Sequence, residues 1–222
     1  MKKILVVAPH PDDETLGCGG TLLRHKAEGD QVHWLIVTAM RAGKGFSEER
    51  IQARENEIKK IEQLYRFTST HQLRLPTTRL DTLGTVELIE RIGEELTLIT
   101  PEVIYVPHSG DAHSDHQVVF DAVAACTKWF RYPTVKRVLA YETLSETDMS
   151  INPGAPAFCP NIFVDVSAHL DMKVKAMKIY ASELKEFPFP RSEKAIRALA
   201  AVRGAASGFE AAEAFMLLRE RV

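Results

Sequence analysis

Short apolar runs alternate along this chain with longer amphipathic segments, and that alternation restricts the fold more than any other feature. Strands are expected over 4–8, 32–38, 103–106, 135–141, 161–166 and 214–218. Helices are expected over 14–28, 47–67, 84–100, 115–130, 168–184 and 192–202, with Asp13 and Ser47 as capping residues and Pro101 ending the third. Val86, Ile89, Leu96 and Ile99 should line one side of that third helix. Strands alternating with helices form a mostly parallel sheet covered on both faces. The 222 residues suit a single domain, 1–222, large enough to bury one core.

Composition removes several classes of function. With 28 basic and 30 acidic side chains the net charge is −2, which offers no footprint for nucleic acid. Three cysteines, Cys18, Cys126 and Cys159, have no CxxC spacing and argue for a reducing compartment. The N-terminal apolar run is too short for a signal peptide and no run approaches a membrane span, so a cytoplasmic protein without membrane insertion is expected. The stretch 145–159, with Asn152-Pro153-Gly154-Ala155-Pro156, suits no regular element and reads as a surface excursion of the kind functional loops make.

Chemistry concentrates at two strand ends. The first strand runs straight into Pro9-His10-Pro11-Asp12-Asp13-Glu14, and the third is followed by His113-Ser114-Asp115-His116. In an open α/β sheet, ligands collect beyond the carboxyl ends of the strands, where the winding direction reverses. Nitrogen and oxygen donors of this mix suit a borderline divalent cation, most often zinc. His10 and Asp13, three apart around a proline and a helix start, can face one ion, leaving Asp12 free to turn toward its water as a base. His116 opens its helix on the stripe His116, Val119, Phe120, Val123, Thr127 and is the natural third ligand. His113 should sit beside the site without joining it, with Asp115 or Asp111 as its partner. Singly, each residue has a plain structural reading: a surface or core histidine, a helix cap, a solvated carboxylate. Two independent His-and-Asp clusters at one sheet edge favour a metal site.

Three other features are less specific. Arg54 interrupts the apolar stripe Ile51, Ile58, Ile61, Tyr65 and should face inward, either toward Glu57 or toward substrate hydroxyls or an anion. The basic loop Arg41-Ala42-Gly43-Lys44-Gly45 lies at the same sheet edge, where a solvated loop is the simpler reading than a phosphate site. Gly17, Gly19 and Gly20 fall inside the first helix and not in a GxGxxG turn, which points to close helix packing.

The string Ala8-Pro9-His10-Pro11-Asp12-Asp13-Glu14, with His113-Ser114-Asp115-His116 downstream, resembles the PIG-L/LmbE family of zinc-dependent N-acetylglucosaminyl deacetylases. The similarity extends through Pro101-Glu102-Val103-Ile104-Tyr105 and Tyr180-Ala181-Ser182-Glu183 to Arg203-Gly204 and Ala212-Glu213-Ala214-Phe215. Ser114 stands where some members have proline, and Asp111 where some have tyrosine. The resemblance implies a Rossmann-like α/β domain, one Zn2+ per chain (or another divalent metal such as Fe2+) on His10, Asp13 and His116, and Asp12 as base. It implies that His113 stabilises the oxyanion or protonates the leaving amine.

Amide hydrolysis suits this set, since a divalent metal lowers the pKa of water from about 16 to about 7 and so makes a nucleophile available. A protonated His113 would add positive charge at the oxyanion. The expected activity is removal of an N-acetyl group from a small-molecule glucosamine-containing metabolite or glycoconjugate precursor. Alternatives are hydrolysis of another N-acyl amino sugar, formylated or nucleotide-linked, or metal-stabilised sugar binding without turnover. A homo-oligomer is left open.

Overall fold

A computed structural model of the chain describes residues 1–43 and 45–222, so Lys44 of the basic loop lies outside the described residues. The fold is a single α/β domain on one seven-stranded sheet of order β3-β2-β1-β4-β5-β7-β6. The strands are β1 (Lys3–Ala8), β2 (Gln31–Ala39), β3 (Ser69–Pro76), β4 (Val103–Pro107), β5 (Arg137–Tyr141), β6 (Ile162–Asp165) and β7 (Ala212–Glu220). The helices are α1 (Asp13–Ala27), α2 (Glu48–Tyr65), α3 (Thr85–Ile99), α4 (Ser114–Ala125), α5 (Leu170–Ile179) and α6 (Glu193–Ala205). Strands β1 to β5 are parallel, and β7 pairs antiparallel with both β5 and β6.

β1 is apolar from Ile4 to Ala8 because both of its faces are covered. Ile4, Val6 and Ala8 join a core with Leu16 and Leu22 of α1, Ile58 and Ile61 of α2, and Val174 and Met177 of α5. Leu5 and Val7 point the other way, into a core with Leu88, Ile92 and Leu96 of α3 and Val119 and Val123 of α4. From β1 the chain winds through β2 to β3 on one side, then returns to place β4 on the other, with Ile4 beside Val103 and Leu5 beside Ile104. The winding direction therefore reverses between β1 and β4, which opens a crevice between the two segments that carry His10 and His113.

The structure departs from the sequence reading where polarity or tertiary demands override local pattern. β3 has no counterpart among the expected strands: it is an edge strand, half-buried, and carries Thr70, His71, Gln72 and Arg74 in place of an apolar run. α4 stops at Ala125, where the Thr127 hydroxyl donates to the Ala124 carbonyl, and does not reach 130. α5 stops at Ile179 and not at 184, because Tyr180 leaves the helix and directs its hydroxyl to Glu14 Oε1 at 2.9 Å. Val86 is exposed, so the buried face of α3 is Leu88, Ile92, Leu96 and Ile99. Ser47 caps α2 as expected, accepting from the Arg50 amide, whereas Asp13 is the first residue of α1 and does not cap it. The excursion 145–159 contains no helix or strand, and it is tied down by Ala112 N–H to Glu146 O (3.0 Å) and by His108 Nε2 with Pro156 O (2.9 Å).

The α1 glycines are packing positions. A Cβ on Gly17 would stand 2.2 Å from the Tyr141 ring, and one on Gly20 would stand 2.7 Å from Val166. The Tyr141 hydroxyl donates to Val7 O at 2.9 Å, so the ring cannot move aside without losing a buried hydrogen bond. Gly17→Ala should therefore destabilise the domain by about 1–3 kcal/mol, the usual cost of overpacking. Urea denaturation checks this, and an unchanged midpoint would mean that α1 can shift outward freely.

Candidate active site

His10, Asp12 and Asp13 are delivered by the turn from β1 into α1, and Asp111, His113, Asp115 and His116 by the turn from β4 into α4. Asp13 Oδ2 is the meeting point. It accepts the His10 amide at 2.8 Å and lies 3.3 Å from both His10 Nδ1 and His116 Nε2. The opposite nitrogens are held by carboxylates: His10 Nε2 lies 3.0 Å from Asp115 Oδ2, and His116 Nδ1 lies 2.8 Å from Asp111 Oδ2. Asp115 also accepts the Thr78 and Leu80 amides, and Asp111 accepts the Thr147 hydroxyl. One nitrogen of each histidine and one oxygen of Asp13 thus converge, with their donor atoms all within 4.8 Å of one another.

This donor set fits a divalent cation, because two imidazoles oriented by outer carboxylates are the usual way in which metal-ligating histidines are aimed. The electrostatics agree. Burial disfavours charge on both rings, yet the Asp13 and Asp115 carboxylates raise His10 to about 9, and the Asp13 and Asp111 carboxylates raise His116 to about 10. Burial works against Asp13 as well, but the two histidines hold it well below the ordinary range. The pocket is built for positive charge. Two other clusters are less apt. In His10, His113 and Asp115 the carboxylate already serves two amides and His10. In His25, Glu28 and Asp30 both imidazole nitrogens of His25 are engaged, by Asp30 and by Tyr105.

Asp12 stands apart from the converging trio. It is buried, and its backbone takes φ 145°, a conformation that a non-glycine residue adopts only under strain. Burial first, and the neighbouring Asp13 second, push its carboxyl up to about 7, against the pull of Arg191 and Arg54. Arg191 Nη1 donates to Asp12 Oδ2 at 2.8 Å, while its other nitrogens reach Ser145 Oγ (2.7 Å) and Glu146 Oε1 (3.0 Å).

His113 lines the crevice at 4.5 Å, ring centre to ring centre, from His10. The expectation of a protonated His113 paired with the side chain of Asp115 or Asp111 does not hold. Its Nδ1 accepts the Asp115 backbone amide at 3.1 Å, which places its proton on Nε2, and both carboxylates are engaged by the other two histidines. Burial, with the charges of His10 and His116, lowers it to about 4, so it is a neutral donor at neutral pH.

Arg54 faces the crevice, but its guanidinium is consumed by the chain. Nε pairs with Glu57 at 3.2 Å, Nη1 donates to Pro11 O, and Nη2 reaches Ser182 and Glu183. That corrects the reading of Arg54 as a substrate contact: it anchors the carbonyl between His10 and Asp12. Sequence reasoning gave no role to Arg191, Glu183, Glu146 or the buried Glu14, whose carboxylate accepts the Asp12 amide at 3.0 Å. The signals were the excess of carboxylates around 12–14, which a buried site must balance with cations from elsewhere in the chain, and the segment Tyr180-Ala181-Ser182-Glu183 that carries part of the resemblance.

Residues 5–127, more than half of the chain, match the PIG-L family, described as GlcNAc-PI de-N-acetylase. The chain belongs to this family. It is 25% identical to a diacetylchitobiose deacetylase of Thermococcus kodakarensis over 96% of this chain and 82% of that protein. A conserved protein of Thermus thermophilus, solved by crystallography, superposes with a TM-score of 0.79 at 28% identity, covering 100% of this chain and 97% of its own. The 4-carboxy-2-hydroxymuconate hydratase of Pseudomonas putida shares the fold, with a TM-score of 0.75 at 18% identity, covering 100% of this chain and 98% of its own. PIG-L deacetylases are generally metal-dependent, and His10, Asp13 and His116 form a candidate metal site. Among the described residues, no helix is long and apolar enough to cross a membrane.

Two predictions test the site. His10→Ala, Asp13→Ala and His116→Ala should each lose bound divalent metal, and Asp111→Asn should weaken binding by about 10–100-fold, the usual effect of removing an outer partner. Metal analysis after dialysis reads both, and unchanged content in all four variants would place the metal elsewhere. Arg54→Met should lower the melting temperature, by stranding Glu57 and Glu183, and lower kcat more than it raises KM. A higher KM with wild-type kcat and stability would restore the substrate role.

Proposed function

We propose that this PIG-L protein is a metal-dependent hydrolase that removes the N-acetyl group from a small glucosamine-containing molecule, with one zinc ion per chain on His10, Asp13 and His116. The observation that carries this reading is Asp12, a strained, buried carboxylate held ionisable by Arg191 beside the metal-ligating trio. A binding module would need the trio alone.

A divalent cation at the trio supplies Lewis acidity, which eases ionisation of water and polarises an amide carbonyl. Arg191 occupies Asp12 Oδ2 and leaves Oδ1 to accept the proton of the attacking water. The His113 Nε2–H donates to the oxyanion that develops as water adds to the acetyl carbon. Asp12, now protonated and raised toward neutrality by its burial, returns that proton to the amine nitrogen as the carbon–nitrogen bond breaks. Acetate and a free amino sugar leave. Asp111 and Asp115 keep His116 and His10 oriented throughout.

Acetate release from N-acetylglucosamine and its simple glycosides tests the proposal. Asp12→Asn should keep the metal and lose at least about 10²-fold in rate, and His113→Ala should keep the metal and lose about 10²–10³-fold. Metal-depleted protein should be inactive until it is reloaded. Loss of metal in Asp12→Asn would make Asp12 a ligand and sink the division of labour, and sugar binding without acetate release would leave only a binding protein.

A further inference from the structure

The crevice beside Asp12 is lined by two kinds of side chain. His10, Asp12, His113 and Arg191 are polar, and Met40, Phe46, Ile51 and Ile58 are apolar. Ile51 and Ile58 lie seven apart on α2 and so share a face. Ile58 completes the core, whereas Ile51, Met40 and Phe46 line the crevice and remain only half-buried. Nothing in the hydrolysis of an amide uses these three side chains, and the core does not need them.

Among the described residues that line the crevice, the charged side chains are already paired. Arg54 is held by Glu57 and Glu183, and Arg191 by Asp12, Glu146 and Glu183. Glu55, which also lines the crevice, takes both terminal nitrogens of Arg74 at 2.8 and 3.2 Å. An anionic group placed here would meet carboxylates whose guanidinium partners are engaged. An apolar group would instead cover Met40, Phe46 and Ile51 and release the water along them.

Building on the deacetylase reading, we propose that the amino-sugar substrate carries an apolar alkyl or aryl substituent that seats against Met40, Phe46 and Ile51. The substituent is the group on the anomeric oxygen, since the nitrogen carries the acetyl group that is removed.

Four probes below micellar concentration decide the matter: methyl and octyl glycosides of N-acetylglucosamine, the methyl glycoside of N-octanoylglucosamine, and N-acetylglucosamine 1-phosphate. The octyl glycoside should exceed the methyl glycoside of N-acetylglucosamine in kcat/KM by about 10-fold or more, as burial of several methylenes implies. An equal or greater gain for the N-octanoyl glycoside would place the apolar group on the nitrogen and overturn the proposal. Phe46→Ser and Ile51→Ser, with folding verified by thermal melting, should collapse that ratio toward one. Equal values for all glycosides, an advantage for the phosphate, or an octyl advantage that survives both variants would overturn the proposal. If no probe is turned over, the deacetylase reading fails separately, and calorimetry with octyl glucosaminide still decides this one. Saturable binding lost in Ile51→Ser supports it, and absence of binding by the wild-type protein overturns it.

Discussion

Everything at the site depends on burying three consecutive carboxylates, Asp12, Asp13 and Glu14, at the start of α1. Each is almost fully out of solvent, where an unpaired charge is costly. The helix N-terminus offsets part of that cost with its free amides and dipole. The rest comes from partners distributed over the whole chain. Asp13 takes two histidines, Asp12 takes Arg191, and Glu14 takes Thr15 and Tyr180 together with the Asp12 amide. The outcome is three neighbouring acids with different tendencies to ionise. Asp13 is held low, whereas burial lifts Asp12 to about 7 and Glu14 to about 8. A ligand needs the first property and a proton shuttle the second.

The same demand explains why the C-terminal third of the chain folds over the crevice mouth. α5 ends early so that Tyr180, Ser182 and Glu183 can reach the α1 turn and Arg54, and the segment before α6 brings Arg191 to Asp12. Loop 145–159 closes the circuit through Ser145 and Glu146 to Arg191, and through Thr147 to Asp111. The loop and the two arginines thus set the geometry of residues far from them in sequence. Replacing one partner leaves another charge buried and unpaired, which makes this network a positioning device more than a source of stability.

The convergence of His10, Asp13 and His116 was legible because it follows from local placement. A strand end, a proline and a helix start fix their direction, and a helical stripe fixes that of His116. Arg54 was half legible: the broken stripe showed that it faces inward, but not that Glu57, Glu183 and Pro11 O exhaust its donors. Arg191 sits in Phe187-Pro188-Phe189-Pro190-Arg191, which carries no periodicity, so its partner could be known only from tertiary contact. The state of His113 was misjudged for a related reason. A nearby aspartate suggests a charged pair, whereas the Asp115 backbone, and not its side chain, faces the ring.

By itself the sequence determined the alternation of strands and helices, and with it a parallel sheet whose switch point gathers two clusters of histidines and carboxylates. It also determined the close packing of α1 through Gly17 and Gly20, since no side chain fits against Tyr141 or Val166. The tertiary structure decided β3, an edge strand whose polar side chains hide its period, and the antiparallel insertion of β7 between β5 and β6. It also decided protonation, because the ease with which a carboxyl or imidazole ionises depends on burial and on charges brought from distant segments. Local pattern fixes which residues can meet at a strand end. Only the folded surroundings fix what those residues then do with a proton.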